Sequence, residues 1–218
     1  MKSSIFTAAL AIAAFTTQAQ DMKPVLEKTF LAFDTTMDMT VKVEQANKLA
    51  LIAKKWDNEW ASHYYVSYSK TQLSYMEKDA AKREAYLDEA EKEKEDAVAI
   101  LKKENDETYV LAAMIANARM GIDPMNRWQK YGQLFSQNLE SAKEANADNP
   151  RMYYLQGVSK FFTPKQFGGG KKAAMPYFEK AQGLFDKEQA QNKDITNPHW
   201  GKDKTVYFVE QCKKEDKE

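Results

Sequence analysis

Cysteine, histidine and excess charge are scarce in this 218-residue chain, and each shortage excludes something. One cysteine, Cys212, cannot form an internal disulfide, so an exported product must be held by packing alone. The two histidines, His63 and His199, lack His-x-x-x-His spacing and no Cys-x-x-Cys is present, which argues against a transition-metal site. Cys212 and His199 carry no signature of a nucleophile pair, and no Gly-x-Ser-x-Gly occurs. Lys plus Arg and Asp plus Glu both number 32, so no basic excess exists to hold nucleic acid or an anionic membrane. The expectation is a chain without catalytic set, cofactor or metal, and without nucleic acid as a partner.

The first residues have the pattern of an export signal. Lys2 is a positive start, Ile5 to Phe15 is an apolar stretch of 11 residues, and Thr17-Gln18-Ala19 offers small residues for cleavage. A membrane span needs about 20 apolar residues, so this stretch is too short to anchor the chain. Residues 1–19 are expected to be removed, leaving a single domain from Gln20 with 31 basic against 32 acidic residues. The product is expected to be periplasmic or secreted, from a Gram-negative bacterium, with no stable membrane insertion.

The rest of the chain repeats. Ala174 and Ala181, seven apart, are preceded 42 residues earlier by Gly132 and Leu139. Ala90 and Ala97 stand 42 before those, and Ala46 and Ala53 another 44 before. A seven-residue spacing is two helical turns on one face, where small residues let helices approach closely. The step exceeds the roughly 34 residues of a tetratricopeptide (TPR) unit, so helices or turns are extended. Four hairpins are expected, at about 22–55, 57–104, 106–147 and 149–188, with a covering helix near 203–214. Asp123-Pro124 and Asn149-Pro150 pair an N-cap with proline at the first helical position. Asp57 or Asn58, Asp79, Asp106 and Asp203 are further caps, and Gly121 is expected to end a helix in the left-handed conformation. The fold class is therefore all-α, an array of antiparallel helical hairpins.

Patterning sets the energetics. Tyr86, Leu87, Ala90, Ala97, Val98 and Leu101 share one stripe, while the charge run Asp88 to Asp96 reads as its solvated face. Burying one Leu or Phe contributes about 1.5–3 kcal/mol, against about 0.2–0.5 kcal/mol for a Glu–Lys pair four apart. Phe167-Gly168-Gly169-Gly170-Lys171 lacks the strand and Gly-Lys-Ser/Thr ending of a phosphate loop. It reads as a long turn in which Phe167 plugs the hairpin end. Pro176 should lie near a helix start or bend the helix by freeing the carbonyl of Lys172.

Four segments carry a resemblance: Trp60-Ala61-Ser62-His63-Tyr64-Tyr65, Asn149-Pro150-Arg151-Met152-Tyr153-Tyr154-Leu155, Thr163 to Gly170, and Pro198-His199-Trp200-Gly201. In these the chain resembles the exported TPR-like proteins common in Bacteroidetes. The Phe-Gly-Gly turn also looks like one in TPR-type periplasmic components of TRAP transport systems. The resemblance implies a right-handed array and no enzymatic activity.

Concave-face residues are the binding candidates. If Trp60, Tyr109 and Tyr153 hold equivalent positions, Tyr65, Met114 and Val158 face the groove, with Tyr68, Asn117 and Phe161 one turn on. Arg151 and Tyr154 sit near its edge. Aromatics with an amide and a guanidinium suit a peptide or protein partner. Alternatively a short array curls tightly and packs these residues internally. Trp200 either packs the terminal helix onto the last hairpin or stacks on a ligand. Two functions remain open, a scaffold binding protein or peptide and a small-ligand carrier. Exposed Tyr65, Tyr68 and Asn117 would favour the first, an enclosed cavity the second.

Overall fold

The computed structural model describes residues 21–191 and 193–214; the expected signal segment lies outside the described residues. Among them are nine α-helices and no strand. The helices are α1 (Met22–Thr35), α2 (Met39–Lys55), α3 (Trp60–Met76), α4 (Ala80–Leu101), α5 (Asp106–Met120), α6 (Pro124–Ala145), α7 (Pro150–Phe162), α8 (Lys171–Gln191) and α9 (Lys202–Lys213). Consecutive pairs from α1/α2 to α7/α8 form four hairpins, and α9 lies on α8. The odd-numbered helices α1, α3, α5 and α7 meet their next odd neighbours, so each hairpin adjoins the next in chain order.

Small residues sit where the repeat requires them. Ala46, Ala53, Ala90, Ala97, Ala174 and Ala181 are all buried on even-numbered helices. Phe178 fills the space between α7 and α8, in the van der Waals volume that a side chain at Gly157 would occupy. Its absent Cβ lets the ring lie flat against the backbone.

Several helix ends follow the expected chemistry. Asp79, Asp123 and Asn149 each accept a backbone N–H in the first turn. Others differ. Asn105, not Asp106, caps α5, in a reciprocal box with Thr108. Neither Asp57 nor Asn58 caps α3; its N-cap is Glu59, and the Ser62 hydroxyl donates to the carbonyls of Trp56 and Glu59. Gly201, not Asp203, precedes α9, and its φ of 105° needs glycine. Gly121 is right-handed (φ −69°); the left-handed helix end is instead Lys102.

The glycine turn also departs in one respect. Phe167 is 73% exposed and plugs nothing. The turn closes through backbone, with Gly169 N–H donating to the Pro164 carbonyl and Gly170 N–H to that of Lys160. Pro176 lies inside α8, in its second turn.

Two substitutions test this packing. A Cβ on Gly157 would stand 2.6 Å from the Phe178 ring, so Gly157→Ala is expected to cost about 1–3 kcal/mol in urea unfolding. A Cβ on Gly169 would meet the Thr163 carbonyl oxygen at 2.1 Å, and Gly169→Val is expected to lower Tm by several degrees, read by circular dichroism.

Candidate functional site

The inner side of the array is occupied by the chain's own C-terminal segment. Residues 193–201 leave α8 and cross the tyrosine face of α3 before α9 begins. Trp200 stacks on Tyr68 with centroids 4.8 Å apart and meets Tyr154 edge-on at 6.2 Å. Its indole N–H donates to the Tyr64 hydroxyl at 2.8 Å, which donates to Glu107 at 2.7 Å. The Tyr65 hydroxyl donates to the Asn197 carbonyl and accepts from the His199 N–H. Lys204 of α9 donates to the Tyr68 hydroxyl at 2.6 Å and to Asp34 at 3.0 Å. Burial raises the hydroxyl pKa of all three tyrosines, so they stay protonated and can donate.

Arg151 is the centre of this network. It is fully buried, donating to Glu107 at 3.0 Å and to both oxygens of Glu188 at 2.8 and 2.9 Å. A further bond reaches the Pro198 carbonyl. The guanidinium lies 5.5 Å from the Phe185 and Trp200 ring centroids, a cation–π arrangement. Burial alone would lower its pKa, but Glu107 and Glu188 outweigh this and hold it above its ordinary value. Burial raises the Glu107 carboxyl, and Arg151 opposes that rise. One cation therefore joins hairpin three (Glu107), hairpin four (Glu188) and the tail (Pro198).

The concave-face candidates are thus placed differently from an open groove. Tyr65, Tyr68, Met114 and Arg151 are buried, with Tyr65 and Tyr68 under the tail and Arg151 at its base, not at a groove edge. Tyr154 and Phe161 are half-buried against Phe208 of α9. Asn117 is half-buried and accepts from the Tyr75 hydroxyl at 3.1 Å. Tyr65, Tyr68, Arg151, Tyr154 and Phe161 meet the tail or α9, whereas Asn117 and the Met114 carbonyl meet Tyr75 of α3. Trp200 reaches beyond the last hairpin, into hairpin two. Cys212 is half-buried against the Ala174–Phe178–Val209 cluster, and burial raises its thiol pKa.

What remains open lies beside the network. A cleft of about 680 Å³ runs between α8 and the tail. Its lining includes Phe185, Trp200 and Arg151, with His199, Lys193 and Lys202, and the acids Glu27, Asp186 and Glu188. His199 is half-buried there, its imidazole beside aromatic rings and cations. Volumes of about 300–1,000 Å³ suit small organic ligands. A second groove, about 490 Å³, lies between α6 and the α7/α8 hairpin, lined by Trp128, Phe135, Tyr177 and Lys160. Trp128 is 64% exposed at its edge. Periodicity could not reveal the first cleft, because it depends on a tail without helical pattern.

Comparison with known proteins is decisive at the level of family. A solved structure, the HusA haemophore from Porphyromonas gingivalis, is 30% identical in sequence and superposes with a TM-score of 0.76. The match covers 90% of this chain and 94% of that one. This chain belongs to the HusA haemophore family. Neither a family model nor a curated protein matches the sequence. That neighbour is named for carrying, not for catalysis, and no helix among the described residues is long and apolar enough to cross a membrane.

The network has a direct test. Arg151→Met leaves Glu107 and Glu188 without their buried partner and should destabilise by about 3–5 kcal/mol in urea unfolding. Hydrogen exchange should rise first in residues 194–200, which lose the Arg151 bond to the Pro198 carbonyl and its contact with the Trp200 ring.

Proposed function

We propose that this protein is an exported, non-enzymatic carrier that binds haem or a related porphyrin in the cleft between α8 and the tail. The observation carrying this reading is the near full-length kinship to a haemophore. The cleft supports it chemically. Phe185 and Trp200 supply apolar wall, Lys193 and Lys202 suit the carboxylates of a macrocycle, and His199 offers an imidazole to iron. Export rests on the signal-like first 19 residues, and we read the hairpin array as TPR-like from the spacing of its small residues. The filled concave side argues for a small ligand over an extended peptide there.

A protein or peptide partner is the second reading. It is favoured by the groove beside the exposed Trp128, between α6 and the α7/α8 hairpin.

Titration with haem, followed by its Soret absorption, tests the first reading. Saturation at one haem per chain is expected. His199→Ala should abolish the ligand-field shift and weaken haem binding at least tenfold, while metal-free protoporphyrin still binds. Absence of saturable binding of either ligand would overturn the function. Equal spectra for wild type and His199→Ala would overturn the choice of cleft, and Trp128→Ala would then show whether the second groove holds the ligand.

A further inference from the structure

The hairpin-two side of the molecule brings together three metal-ligating groups. His63, in the first turn of α3, is buried, and its Nδ1 lies 2.7 Å from Glu93 Oε2 on α4. Asp96 follows one turn later on the same face, and one ligand atom from each of the three residues lies within 4.8 Å of the others. The other imidazole nitrogen, Nε2, contacts the Asp57 carbonyl at 3.2 Å. A carbonyl and a carboxylate both only accept, so Nε2–H donates to the Asp57 carbonyl and Nδ1–H to Glu93; a metal ion would take the place of the Nδ1 proton, between the ring and the two carboxylates. A histidine whose outer N–H is fixed by a carbonyl while its inner nitrogen meets carboxylates has the arrangement of a metal ligand and its support.

We propose that His63, Glu93 and Asp96 form a binding site for a divalent first-row metal ion of the zinc class. One imidazole and two carboxylates match the donor preference of such ions, and a fourth position stays open to water. Bonds of about 2.0–2.2 Å fit once the Glu93 side chain rotates slightly away from Nδ1. Lys92 holds one oxygen of Asp96, leaving the other for the ion. The bound ion would fasten the first turn of α3 to α4, closing the open end of hairpin two. The site is remote in sequence from His199 and independent of the proposed cleft.

Isothermal titration of the full chain with Zn²⁺, and visible absorption with Co²⁺, test the proposal. One ion per chain is expected, with a rise in Tm on zinc addition. Glu93→Gln and Asp96→Asn, both half-buried on α4, should each weaken binding at least tenfold, while His199→Ala should leave it unchanged. No saturable binding, or equal binding by wild type and Glu93→Gln, would overturn it. Loss of zinc binding in His199→Ala would also overturn it, by assigning the ion to the cleft.

Discussion

A single buried guanidinium holds the architecture together. Taking Arg151 out of water is costly unless each charge finds a partner, and here Glu107 and Glu188 supply them from two different hairpins. The Pro198 carbonyl and the faces of Phe185 and Trp200 complete its surroundings. Hydrophobic contact between hairpins would tolerate some sliding, because it has no direction. The bidentate pair with Glu188 fixes α7 against α8 inside hairpin four, and the directional bond from the same guanidinium to Glu107 carries that alignment to hairpin three. Arg151 therefore converts an adjustable stack into one fixed register.

The tail extends that constraint. Trp200 bonds to Tyr64, which bonds to Glu107, so the indole and the guanidinium meet the same carboxylate by two routes. Residues far apart in the chain thereby share one polar chain in an otherwise apolar interior. The cleft beside it inherits its rigidity: Phe185 and Trp200 are held from behind by Arg151, while His199 is held by its own backbone N–H on Tyr65.

Much of the helical layout was legible in the sequence, for local reasons. Caps such as Asp79, Asn149-Pro150 and Asp123-Pro124, and small residues seven apart, report on neighbours within one or two turns. Misassigned ends show the limit of this: Asn105 outcompeted Asp106 because Thr108 could return its bond, a reciprocity that single-residue preference does not weigh. The site was far less legible. Tyr65 and Tyr68 have the helical phase expected of groove residues, but residues 193–201, which cover them, show no periodicity that would announce them as the filling. Arg151 reads as an edge residue until Glu107 and Glu188 are placed against it. His63 carried no metal spacing, because its neighbours Glu93 and Asp96 come from another helix.

An open solenoid can lengthen by duplicating an internal unit, since each unit contacts only the adjacent ones. This chain has given up that freedom. Its last segment reaches back past hairpin four to hairpin two, so the span from Tyr64 to Trp200 acts as a fixed ruler. An extra hairpin inserted between them would pull the indole out of reach of its hydroxyl. Evolution of this architecture is thereby steered toward loop and cleft variation at constant unit number, and away from growth.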